Sequence, residues 1–150
     1  MSDTYTPEKI KELGDKALPK GNVLYPPQII NRFLSEQGAQ PKQVEAFIIK
    51  TATAIKEGKA KLLQFGNTVF IITPKPDKSI EFVTMTVEPE MVAMRLTLLP
   101  NALKEMGFRK AYTIVTSDKA AKIADQSGIQ FKKINTKMNE KPAIRYEIDL

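Results

Sequence analysis

The sequence predicts a mixed α+β fold: a central mixed, mostly antiparallel sheet flanked by helices, with a helical N-terminal third. Three observations carry this reading. Up to Gly58 the apolar residues recur three and four positions apart, the period of an amphipathic helix. After Gly58 the period shortens to two, over stretches rich in Val, Ile, Thr and Phe, as in half-buried strands. From Ser79 onward, strand-like and helix-like stretches alternate. The 150 residues are expected to form one domain, with residues 1–57 as its helical part and 58–150 as its sheet core.

The first helix is expected to open at Pro7 behind the candidate N-cap Thr6, since a proline costs nothing in a first helical turn. Ile10, Leu13, Ala17 and Leu18 give it a face, and Pro19, Gly21 and Asn22 end it. A second helix opens at Pro26-Pro27 and carries Ile29, Ile30, Phe33 and Leu34 on one side. Gly38 and Pro41 close it and start a third, whose stripe is Val44, Phe47, Ile48, Thr51, Ala52 and Ile55. Residues 60–65 and 68–73 read as a hairpin around Gly66-Asn67, because both turn residues accept positive φ. Ser79 to Val87 is the next strand. Pro89 opens a long apolar helix running to Gly107, and Pro100 inside it must bend or divide it near Leu99, since an interior proline removes a backbone bond. Residues 111–116 read as a buried strand, Ser117 as the N-cap of a helix over 118–126, and 129–134 and 143–148 as the last two strands.

Composition excludes several chemistries. The chain contains no cysteine and no histidine, which removes disulfides, thiol nucleophiles, Ser-His triads and the common zinc ligand sets. Catalysis would fall to carboxylates, Lys, Tyr, Ser, Thr or the backbone. No apolar run approaches the roughly 20 residues that span a bilayer, so no membrane partner is expected. The start of the chain lacks a charged-then-apolar leader pattern, and a cytoplasmic location is expected. The net charge of +6 suits either a solubilising surface or an anionic partner.

Few side chains stand out as chemical candidates. Glu81, on the third strand, is the best-placed general base, provided the strand aims it into a cleft; the plainer reading is a solvent-facing strand carboxylate. Glu88 and Glu90 complement the positive end of the following helix. Tyr112 and Tyr146 suit an acid or a stacking role, or a half-buried strand position. Met85, Met91, Met94 and Met106 are expected to fill core, with an adaptable interaction face as the alternative. Lys132, Lys133, Lys137, Lys141 and Arg145 surround a final hairpin loop expected over Asn135 to Lys141. Such a basic loop can hold phosphates, although no aromatic stacking pair accompanies it.

The order of three antiparallel strands, helix, strand, helix and two strands resembles the core of the GNAT family of N-acetyltransferases. VEPEMVAMRLTLLPNALKEMG (residues 87–107) is similar to the stretch that leads from that family's fourth strand into its cofactor-facing helix. SDKAAKIADQSGIQFKKI (117–134) resembles the later helix, the Gly-aromatic turn and the following strand. The resemblance implies acetyl-CoA bound by main-chain N–H groups near Val83 to Val87 and at the start of the helix, and a base at Glu81. It places Val87 at the strand exit, Val92 at the family's Arg/Gln position, and Arg95 and Thr97 at its two glycines. Bare main chain at a helix start admits a diphosphate because no Cβ intervenes. Here no glycine lies between Asn67 and Met106, and Arg95 offers charge instead. Ser117 stands where the family often has Asn, and Ala124 where it often has an acidic-proton-donating Tyr.

Three functions follow from this reading. The first is a non-catalytic binding or structural protein on a GNAT-like scaffold, with no cofactor and with a protein partner or self-assembly. In that form it resembles small bacteriophage virion-associated proteins. The second is an acetyl-CoA-dependent N-acetyltransferase with Glu81 as base. The third is a nucleic-acid accessory protein using the basic 132–145 hairpin.

Overall fold

A computed structural model describes residues 23–150; the helix expected over residues 7–18 lies outside them. The architecture is mixed α+β. The described elements are α1 (Pro26–Glu36), α2 (Pro41–Lys56), β1 (Lys61–Phe65), β2 (Thr68–Pro74), β3 (Ser79–Thr86), a 3₁₀ turn (Pro89–Met91), α3 (Val92–Leu96), α4 (Leu99–Glu105), β4 (Lys110–Val115), α5 (Asp118–Gln126), β5 (Lys132–Met138) and β6 (Lys141–Asp149). The six strands form one sheet in the order β1-β2-β3-β4-β6-β5. β3 and β4 are parallel, while β1–β2, β4–β6 and β5–β6 are antiparallel. The chain divides into two compact units, residues 23–72 with 84–89 and residues 73–83 with 90–150.

In the first unit, α1 and α2 start by the same local device. Each has proline in its first turn and Gln at its third position. The side-chain oxygen of Gln28 accepts from the Tyr25 N–H, and that of Gln43 from the Gln40 N–H, both at 2.8 Å, half of a capping box. The helices bury Ile29, Ile30, Val44 and Ile48 against Val69 and Ile71 of β2 and Met85 of β3. Leu24 enters this core with both its backbone groups satisfied by side chains: its N–H donates to Asn67 Oδ1 and its C=O accepts from Gln64 Nε2, each at 2.8 Å. We expect Asn67→Ala to cost about 1–3 kcal/mol, because it strands the N–H of a buried residue. Chemical denaturation with an unchanged m-value checks this; a loss below about 0.5 kcal/mol would mean that water replaces the side chain.

The second unit has a sheet with two unlike faces. Ile80 and Phe82 of β3, Ala111 of β4 and Ile148 of β6 share one face. Phe82, Ala111 and Ile148 line, with Leu96, Leu99, Leu103 and Phe131, a cavity of about 10 Å³, room for about one water at most. Val115, Ala124 and Tyr146 form a neighbouring cluster, joined by Phe131 edge-on to Tyr146 at 5.6 Å. The opposite face carries polar residues.

Pro100 divides the expected long helix as its chemistry requires. α3 ends at Leu96, and α4 begins at Leu99 with Pro100 in its first turn, where its missing N–H has no helical partner to lose. The last hairpin departs from expectation. Residues 135–138 and 141–142 are paired strand rather than loop, and Asn139 and Glu140 alone turn the chain, with φ of 52° and 65°. A two-residue turn with two positive φ values matches the twist of the strands it joins. Met85 is core as expected, whereas Met94 and Met106 are exposed.

Candidate active site

The parallel pair β3–β4 is the feature that sets the site. Its register runs only over Ser79↔Lys110, Ile80↔Ala111 and Glu81↔Tyr112. Both strands continue past that point, β3 to Thr86 and β4 to Val115. β4 stays paired with β6 on its far side as far as Val115↔Ile144. Within the second unit, the two parallel strands therefore part by Val83 while β4 stays anchored to β6. Val83, on the parting stretch, is 44% exposed.

Glu81 stands at the vertex of this parting, at the last paired position. Its side chain is 30% exposed and lies 3.7 Å from Lys75 Nζ. An ion pair that long and that wet is worth under about 1 kcal/mol, so the carboxylate can exchange Lys75 for another partner at little cost. Register carries the row onward across the polar face: Glu81 is opposite Tyr112, Tyr112 opposite Glu147, and Glu147 opposite Lys132. Arg145 lies diagonal to Tyr112 and stacks on it, with Cζ 3.6 Å from the ring centroid. Its guanidinium is held by Glu147 through Nε and NH2, both 2.7 Å from Oε1. Lys110 Nζ is 3.9 Å from the same carboxylate. The planar fork of an arginine can lie flat on a ring while pairing through two nitrogens, a geometry that the single ammonium of a lysine lacks.

The residues expected to hold a diphosphate are placed as follows. Val92 is 5% exposed and belongs to the core, and Arg95 is half-buried on α3. Thr97 is exposed, and its hydroxyl donates to the Met94 carbonyl at 2.6 Å, closing α3. Five residues give α3 only a short run of aligned peptide dipoles. In the first unit, Val87 packs on the core of α1 and α2. Its N–H donates to the Asn67 carbonyl at 3.3 Å, and the N–H of Glu88 donates to Thr86 Oγ1 at 2.9 Å. Pro89 has no N–H. These three consecutive positions thus have no uncommitted main-chain donor for a phosphate.

The basic residues of the last hairpin do not gather into one patch. Lys133 bonds Asp125 at 2.8 Å and sits 5.3 Å over the Tyr146 ring. The Asp125 bond holds its ammonium above the ordinary lysine value. Any stability from that pair is therefore complete below the ordinary lysine range and is lost as pH rises through the raised value. Arg145 is committed to Tyr112 and Glu147. By register, Lys132, Lys141 and Arg145 lie on the polar sheet face, whereas Lys133 and Lys137 lie on the other. Among the described residues no cluster of three metal-ligating side chains occurs, and no helix is long and apolar enough to cross a membrane.

The sequence named Glu81 and Tyr112 as candidates but gave no sign of their adjacency. It also gave no sign of Arg145 as a partner of Tyr112, since only the β4–β6 register brings them together.

No protein-family model matches the chain, and no curated protein matches it either. Solved structures do. A variant of the spermidine N-acetyltransferase of Vibrio cholerae superposes with a TM-score of 0.62 at 11% identity, covering 89% of this chain and 93% of that one. The microcin C7 self-immunity acetyltransferase, solved with acetyl-CoA and AMP, gives 0.59 at 12% identity, over 83% of this chain and 84% of its own. The IAA acetyltransferase of Bacillus cereus gives 0.51 at 13%, over 84% and 93%. At such identities the likeness concerns the fold: this chain has the GNAT fold.

Proposed function

We propose that the chain is an acyl-CoA-dependent N-acyltransferase with Glu81 as its general base. The observation that carries this reading is the parting of β3 from β4 with a carboxylate at its vertex. Parted strands expose main-chain groups that a ladder would consume, and these can receive the amide-bearing arm of a thioester donor. Glu81 then takes a proton from the acceptor amine. The amine nitrogen bonds to the thioester carbonyl carbon, the carbon–sulfur bond breaks, and the sulfur leaves with the bonding pair. Proton removal by a placed carboxylate contributes about 10²–10⁴-fold. Arg95, half-buried on α3, supplies charge toward a diphosphate where the main chain does not. The acetyltransferase neighbours support this reading through the shared fold.

A second reading is favoured by a separate observation. The committed amides of Val87 and Glu88, beside Pro89, and the absence of glycine from 67 to 106 suit a non-catalytic binding or structural protein on the same scaffold.

Acetyl-CoA separates the two. At a concentration about 100-fold above Kd, a ligand specific for the folded state stabilises by about 2.7 kcal/mol, roughly 5–10 °C for a chain of this size. The enzyme reading expects that rise at millimolar acetyl-CoA. An unchanged melting temperature would favour the second reading.

A further inference from the structure

We propose that the outer face of α3 and α4 docks a second copy of this chain, packed antiparallel about a two-fold axis at Leu98. The inference uses the second unit alone and stands apart from the N-acyltransferase reading. Leu96, Leu99 and Leu103 turn inward beside Phe82 and Ala111 of the sheet. Thr97 and Leu98, between the two helices, keep right-handed helical backbone, and their N–H groups donate to the Met94 and Arg95 carbonyls at 3.2 and 3.1 Å. The chain therefore winds in one sense from Val92 to Glu105, and residues three and four apart stay neighbours on its outer side. Met91, Met94, Leu98 and Ala102 follow one another there at such spacings, and Met106 comes one turn later. Met94 is 50% exposed, Leu98 46% and Met106 36%. Solitary apolar residues on a surface are ordinary, but a contiguous apolar stripe marks a contact surface. Of the large apolar side chains exposed in the second unit, Met94, Leu98 and Met106 share this stripe, and only Val83 and Met138 lie elsewhere. Unbranched thioethers adapt readily to an incoming surface.

Two features fit the stripe to its own copy. The first is size. A two-fold contact is self-complementary, so with Leu98 at the axis each residue meets the one equally far on the other side of Leu98. Leu98 meets Leu98, and the long Met94 meets the short Ala102, twice over. The second is charge. Glu90 lies at the N-terminal end of the stripe and Lys104 near its C-terminal end, and both are exposed. Their separation is close to four whole helical turns, so they share one flank. In an antiparallel pair that flank of one copy lies beside the same flank of the other, and Glu90 meets Lys104 at both ends. A parallel copy would set like charge against like.

The absence of cysteine lets a single introduced thiol report its own neighbours. Under mild oxidation Leu98→Cys should form a disulfide-linked dimer, because the axis brings its two thiols together, and Met138→Cys, exposed on β5, should do so at least about 10-fold more slowly. Sedimentation of the unaltered chain from about 5 to 500 μM should show monomer giving way to dimer, the range expected of a small interface. Leu98→Glu should raise the dimer Kd by about 10²-fold or more. Its melting temperature at low concentration should not move, since the side chain it replaces is exposed. Glu90→Lys and Lys104→Glu should each raise Kd by about 10-fold, and the double variant should return to within about 3-fold of the unaltered chain. Such reciprocity does not come from a general change in charge. A monomer at every concentration would overturn the proposal, whether the stripe then takes a foreign helix, a lipid surface or nothing. A dimer that survives Leu98→Glu, or equal cross-linking of the two thiols, would overturn it by placing the contact elsewhere.

Discussion

Replacing Glu81 with Gln should lower turnover of acetyl-CoA by about 10²–10⁴-fold without changing the melting temperature by more than a degree or two. The expectation follows from position. Glu81 is on the polar face, 30% exposed, and bonded only loosely to Lys75 at 3.7 Å, so its charge adds little to stability. Gln keeps the shape and cannot take the amine proton. KM for the donor should stay put, because the proposed base would act on the acceptor, and loss confined to kcat marks an interaction made in the transition state. A full-rate Glu81→Gln variant would exclude this residue as the base. An unfolded one would place it in the stability of the sheet instead.

Tyr146→Ala should be the most damaging single change to the second unit, at about 3–5 kcal/mol. The ring is 1% exposed and lies among Val115, Ala124 and Phe131. It ties β6 to β4 and to α5, and Lys133 rests over it at 5.3 Å. Truncation removes the ring's contacts and leaves a hole that its strand-bound neighbours cannot close. Against a total stability of about 5–15 kcal/mol, such a loss should lower the thermal midpoint by roughly 10 °C or more. Thermal unfolding followed by circular dichroism measures it. A drop below about 3 °C would mean that α5 repacks into the space.

Much of the frame was legible because local chemistry wrote it. Pro26-Pro27 and Pro41 announce two helix starts. Gly66-Asn67 announces a hairpin, and Pro100 announces a break that the chain could not avoid. The last turn was less visible: Asn139-Glu140 is a weaker signal than Asn-Gly, and the lysines around it read as loop. Its strands instead place Lys133 and Lys137 on one face and Lys132, Lys141 and Arg145 on the other. The parting of β3 from β4 has no local signature at all. Val83 and Thr113 to Val115 are good strand residues that would suit a β3–β4 ladder equally well, and only the pairing of distant segments decides that β4 there pairs with β6 alone. The contact of Arg145 with Tyr112 is hidden for the same reason, being set by a register between segments far apart in the chain. The glycine-poor stretch after Asn67 was visible, but the destinations of its amides were not. That Val87 donates to Asn67 and Glu88 to Thr86 depends on where the hairpin turn comes to lie.

The central claim is that an acyl donor enters where β3 and β4 part. Titrating ¹⁵N-labelled protein with acetyl-CoA and following backbone amide resonances tests it most directly. The account predicts that the signals of Val83, Thr113 and Ile114 shift in a saturable way, with Glu81 and Tyr112 beside them, while those of the β5–β6 turn stay still. Saturable shifts confined to other parts of the chain, or none at millimolar donor, would contradict it.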